Sequence, residues 1–212
     1  MNKWKKTVSI AILTLSIFLL TGCNESYQEV PANFEHEGNH ISGSLVLPKN
    51  SQEPYPVVIF VHGDGAMPYD AYGYYRPLWG RLAERGIASF SWDKAGVGNS
   101  QGDWQSQSMD DRAEETVAAI EMLNKRADVA PNRIGLIGYS QAGWVLPLVA
   151  SKSDYPRFMV LVSGAINWMD QGAYMTERRL TREGFSKKQI KQVIEESRNI
   201  SAQLFSSTAT YE

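Results

Sequence analysis

The chain has 212 residues, 43% of them hydrophobic and 21% charged, with a formal net charge of −2. That length suits one domain with a single core, and the apolar fraction excludes a disordered chain. The slightly acidic balance excludes a strongly basic nucleic-acid binder, and one cysteine excludes an internal disulfide or a zinc site built on several thiolates.

At the amino terminus, Lys3, Lys5 and Lys6 precede an uncharged apolar run from Val8 to Leu20. The run is shorter than the ~20 residues a membrane-spanning helix needs. A basic start, a short apolar middle and small residues after it fit a secretory signal over residues 1–22. Leu20-Thr21-Gly22-Cys23 resembles the bacterial lipobox, which implies cleavage before Cys23 and lipidation of its thiol. The expected location is therefore exported and lipid-anchored, on the extracytoplasmic face of the cell membrane. Cleavage would remove three lysines, so lipid rather than a basic face is expected to hold the protein there. Residues 23–32 read as a tether.

Asn33–Glu37 and His40–Leu47, separated by Gly38-Asn39, predict an antiparallel hairpin. Pro56–Val61 is a continuous β-branched and aromatic run, as expected of a strand buried on both faces. It ends at His62-Gly63-Asp64-Gly65. Tyr74–Arg85 has helical spacing, with Gly86 as its stop. Ile87–Trp92 predicts a second buried strand, Asp110–Lys125 a helix with an acidic first turn, and Arg133–Gly138 a third buried strand. Gly143–Ala150 predicts a helix and Phe158–Val162 a fourth buried strand. Trp168–Glu183 and Ser186–Leu204 predict two more helices, the second opened by the capping box Ser186-Lys187-Lys188-Gln189. Buried strands alternating with helices imply a mostly parallel, doubly wound α/β sheet. Sites in such sheets collect at the carboxyl ends of strands.

One such end carries Gly138-Tyr139-Ser140-Gln141-Ala142-Gly143. A serine between a strand and a helix occupies a sharp turn that lifts its hydroxyl clear of the sheet, with small residues two before and two after it. The competing reading is a serine that merely caps a helix. The pattern resembles the α/β-hydrolase superfamily, especially bacterial esterases and serine aminopeptidase-like hydrolases. The strand ending in Val61-His62-Gly63-Asp64-Gly65, the turn Asp93–Ser100, the phrase Asp128–Gly135 and the stretch Leu161–Gly164 carry the same resemblance. Ala142 replaces the more usual glycine, and Ala95 stands where that turn often has arginine.

The resemblance implies Ser140 as nucleophile. It implies an oxyanion hole made by the backbone N–H of Gln141 together with that of Asp64 or Gly65. It gives His62 a bracing role rather than a catalytic one. Asp93 reads as the cap of a turn. Residues 33–165 then form the hydrolase core, and 166–212 a helical lid segment. No cofactor and no metal is expected, and the partners are a small-molecule ester or peptide substrate and the membrane.

The chemistry lacks one component. A serine hydrolase needs a base, usually histidine, which in this superfamily follows the nucleophile. All three histidines precede residue 63. The expectation is a chain truncated at its carboxyl end, lacking the last strands, the acid and the histidine, and inactive unless completed. The alternative is a non-catalytic lipid-anchored surface binding protein on a hydrolase scaffold. A third reading makes 186–204 a partner-binding amphipathic helix.

Overall fold

The computed structural model describes residues 26–206. The expected signal segment, Cys23 and the start of the expected tether lie outside them.

Six strands form the main sheet, in the order β1 (Tyr27–Pro31), β4 (Gly43–Pro48), β6 (Ala88–Trp92), β5 (Tyr55–Val61), β7 (Val129–Tyr139), β8 (Pro156–Val162). β1, β4 and β6 pair antiparallel; β6, β5, β7 and β8 pair parallel. The expected mostly parallel sheet is present. The tether reading of 23–32 is corrected, because Tyr27–Pro31 pairs with β4 along its length. Tyr27 is buried there, and Glu29 forms an ion pair with Arg76.

The expected long hairpin is split. β2 (Phe34–His36) pairs with β3 (Asn39–Ile41) as a separate two-stranded sheet, while β4 joins the main one. Glu37 and Gly38, at φ 50 and 77, make the turn between β2 and β3, the double positive φ that a two-residue hairpin favours. The break falls where side chains take over the backbone donors. Ser42 N–H donates to Ser100 Oγ, and Gly43 N–H to Asn33 Oδ1.

Helices cover both faces. Val57 and Ile59 of β5 face α2 (Met109–Asn124) and α3 (Ala142–Lys152), packing with Ile120, Leu123 and Val145. Val58 and Phe60 face α1 (Arg76–Ala83), packing with Tyr75 and Trp79. Successive side chains point to opposite faces, so a strand covered twice reads as one continuous apolar run.

β8 does not share that cover. Phe158, Val160 and Leu161 are about half exposed, which corrects the expectation of a fourth buried strand. Among the described residues β8 pairs only with β7, so its far edge and much of both faces meet no neighbour. Beyond it, α4 (Trp168–Arg182) and α5 (Lys187–Leu204) pack mainly on each other. No helix among the described residues is long and apolar enough to cross a membrane.

Candidate active site

Ser140 stands between β7 and α3 at φ 51. A side chain in this left-handed region costs about 1 kcal/mol or more. The turn is held from both sides: Ser140 N–H donates to Val162 O of β8, and Gly143 N–H to Ser140 O. Ser140 itself is exposed.

The small residues around it are required by packing. A Cβ on Gly138 would lie 2.9 Å from Ala142 Cβ and from Leu146 Cδ1. A Cβ on Gly143 would lie 3.0 Å from the Gly164 Cα. The methyl of Ala142 is accommodated because Gly138 opposite it has none, while Gly143 supplies the close approach to the β8 loop.

The loop after β5 passes directly beside the serine. A Cβ on Gly63 would sit 3.3 Å from Ser140 Cβ and 3.1 Å from Tyr139 O. Gly65 takes φ 86. Gln141, Asp64 and Gly65, the residues expected to supply oxyanion donors, are thus on the two segments that meet at Ser140. Among the described residues their three backbone N–H groups have no acceptor.

The carbonyls of that loop are held by two buried cations. Lys94 Nζ donates to Gly63 O at 2.9 Å and Gly65 O at 3.0 Å, with its ammonium over the Trp104 ring. Arg112 donates to His62 O and to Gln141 Oε1, both at 2.6 Å. Gln141 Nε2 in turn donates to Asp64 Oδ1 at 3.2 Å. Arg112 therefore links the loop to the turn. Burial lowers the Lys94 pKa to about 8, reinforced by the nearby Arg112 charge.

His62 lies beneath the loop with both ring nitrogens engaged. Nε2 donates to Trp92 O at 2.6 Å and Nδ1 accepts from the Tyr75 hydroxyl at 3.0 Å. Burial lowers its pKa to about 4. His40 pairs with Glu35 in the β2–β3 hairpin, and His36 lies in the same hairpin. Among the described residues nothing hydrogen-bonds the Ser140 hydroxyl. Asp93 caps its turn, accepting from Tyr69 N–H at 2.8 Å and Asn99 N–H at 3.1 Å. Asp170 is exposed and paired with Arg198.

An exposed serine on a strained strand–helix turn, flanked by a histidine-glycine loop at the end of the neighbouring strand, agrees with the outcome of the family comparison. The profile of the X-Pro dipeptidyl-peptidase (S15) family matches residues 37–208. The chain belongs to the S15 family. The match takes in the loop after β5, the turn at Ser140 and both helices after β8. An uncharacterized protein, YfhR, of Salmonella typhimurium is 30% identical over 131 residues, covering 57% of this chain and 41% of that protein. This chain thus spans about two fifths of the length of the curated relatives it matches. Among solved structures, an acetyl xylan esterase from Paenibacillus sp. R4 superposes with a TM-score of 0.58 at 18% identity, over 82% of this chain and 64% of that one. The hypothetical protein PA2218 of Pseudomonas aeruginosa gives 0.57 at 20% identity, over 82% and 53%. At those identities the likeness shows the fold, which is that of α/β hydrolases, and the S15 match makes the chain a member of a hydrolase family.

Sequence reasoning missed Lys94, Arg112 and the Gln141 side chain. A signal for Arg112 existed. It falls on the α2 face that buries Ala113, Thr116 and Ala119, where an arginine is unexpected unless it is paired.

Proposed function

We propose that this chain carries the nucleophile and oxyanion hole of a serine hydrolase acting on carboxylic esters or amides. The observation that supports it best is the exposed, left-handed Ser140 beside three backbone N–H groups that have no acceptor among the described residues. Ser140 Oγ would attack the substrate carbonyl while a base takes its proton. The N–H groups of Gln141 and of Asp64 or Gly65 would receive the oxyanion, each such donor being worth about 3 kcal/mol of barrier. Collapse expels the alcohol or amine, protonated by the same base, and water then releases the acid from Ser140. The positive end of α3 favours the developing negative charge.

Among the described residues no group is placed to act as that base. His62 is neutral with both nitrogens committed, so it cannot serve. These residues alone should turn over slowly, with full rates only where a histidine reaches Ser140. The experiment is labelling of the full chain by a fluorophosphonate, with a panel of p-nitrophenyl esters and aminoacyl anilides and Ser140→Ala as control. Labelling lost in Ser140→Ala supports the reading. Absence of labelling together with saturable binding of an unhydrolysed ester would favour the binding protein. We also propose anchoring through lipid on Cys23. Incorporation of radiolabelled palmitate into the parent but not into Cys23→Ser would support it, and equal incorporation would reject it.

A further inference from the structure

Total charge conceals a local one. Between Arg178 and Lys191, where α4 ends and α5 begins, the sequence has Arg178, Arg179, Arg182, Lys187, Lys188 and Lys191 against a single acid, Glu183. That stretch carries +5 in a chain whose total is −2. All six cations are exposed. Arg179 pairs with Glu183 and Lys191 with Glu195. Arg178, Arg182, Lys187 and Lys188 have no ion-pair or hydrogen-bond partner among the described residues. At the tip between the helices stands Phe185, 43% exposed, directly after Gly184 at φ 86.

We propose that this tip docks on an anionic phospholipid surface. Four unpaired cations stand on the adjoining ends of two helices, before and after one exposed aromatic ring in the chain. Cations that meet lipid phosphates around a ring that enters the headgroup boundary are the components of an interfacial amphipathic contact. Nucleic acid would also attract the cations, but the exposed Phe185 ring favours a surface with an apolar layer below. Among the described residues α4 and α5 pack mainly on each other, and the cations and Phe185 at their tip are exposed. The contact needs neither Ser140 nor Cys23. If Cys23 is lipidated, the tip supplies a second point of attachment, and a lipid chain with a basic patch holds far better than a single chain. β1 and β8 are opposite edges of the sheet, so an anchor before β1 and a patch after β8 would restrain its orientation as well.

The test is co-sedimentation of the full chain carrying Cys23→Ser, with vesicles of phosphatidylcholine alone and of phosphatidylcholine mixed with phosphatidylglycerol. The basic and apolar residues before Cys23, Lys3, Lys5 and Lys6 among them, are present in every arm, so the difference between parent and glutamine variant in their preference for anionic vesicles isolates the tip. Each cation near an anionic surface strengthens binding about fivefold. Replacing all four free cations by glutamine (Arg178→Gln, Arg182→Gln, Lys187→Gln, Lys188→Gln) should therefore reduce that preference by about a hundredfold or more, and salt should weaken it in the parent. These residues are exposed, and glutamine is a good helix former, so circular dichroism should match the parent. Exchanging the same four cations between lysine and arginine should retain the preference. Equal binding of the parent to both vesicles, or an unchanged preference in the glutamine variant, would overturn the proposal. Tighter binding to poly-L-glutamate or to DNA than to anionic vesicles would overturn it in favour of an acidic polypeptide or a nucleic acid.

Discussion

The ammonium of Lys94 donates to the carbonyl of Gly63 across 2.9 Å, inside the protein and directly behind the loop that borders Ser140. With its second bond to Gly65 O and the Arg112 bond to His62 O, it leaves three carbonyls of the loop facing buried cations. A backbone whose carbonyls are held inward has its amides available on the other side. The loop's geometry therefore depends on two side chains that lie outside it in sequence.

Lys94→Met removes that support and leaves two carbonyls unpaired. Hydrogen bonds to charged groups contribute about 2 kcal/mol each, so the variant should lose about 2 kcal/mol or more in urea unfolding. The pH dependence supplies an independent readout. Lys94 titrates at about 8 in the fold, against 10.5 for an ordinary lysine. Between those values the unfolded chain holds a proton that the folded one has lost, so stability should rise with pH across about 8 to 10.5. That slope should vanish in Lys94→Met. A variant as stable as the parent, with the same slope, would show that the ammonium does not hold the loop.

Ser140 supplies a prediction that needs no activity. At φ 51 its Cβ is strained, and alanine at the same place keeps the strain while glycine does not. Ser140→Gly should therefore be more stable than Ser140→Ala by about 1 kcal/mol, after the flexibility of glycine in the unfolded chain is set against the relief. Thermal unfolding of the pair measures it. An equal or lower stability for the glycine variant would mean that the turn relaxes in solution.

The central strands and this turn were legible in the sequence because local signals and tertiary demand coincide there. Val57 to Val61 is apolar throughout since helices cover both faces, and Gly138 and Gly143 are small since backbone and side chains pass within 3 Å of where a Cβ would be. β1 was illegible because Gln28, Glu29 and Pro31 are polar or strand-poor, and its pairing to β4 is made by backbone atoms. β8 was misread for the opposite reason. Its apolar run matches a buried strand, and nothing local reveals that its far side has no neighbour among the described residues. The cations behind the loop escaped notice because Lys94 and Arg112 come from the segment after β6 and from α2, which only the fold brings together.

His62 sets a pH dependence of its own. Its pKa falls from 6.5 to about 4, chiefly through burial. As pH drops from 6.5 towards 4, the unfolded histidine takes a proton that the folded one refuses, so the fold should lose up to about 3 kcal/mol across that window. Urea unfolding at a series of pH values in the parent and in His62→Gln tests this. The parent should weaken as acid is added and the variant should lack that component. A parent whose stability is level from pH 4 to 6.5 would show that water reaches the ring.

The exposed edge of β8 should govern association. Val160 and Leu161 lie on opposite faces of a strand that has one described neighbour, and an unpaired apolar edge is a template for strands of other molecules. These 212 residues on their own should therefore self-associate with rising concentration. A charge on the edge strand opposes that pairing, because each added strand would bring like charges together and strip their water. Val160→Lys should lower the associated fraction without loss of stability, since its side chain is already 44% exposed. Sedimentation velocity over a concentration series decides the matter. If the lysine variant associates as strongly as the parent, the contact lies elsewhere, and the apolar side chains of α5 (Ile200 and Leu204, both about half exposed) become the surface to alter next.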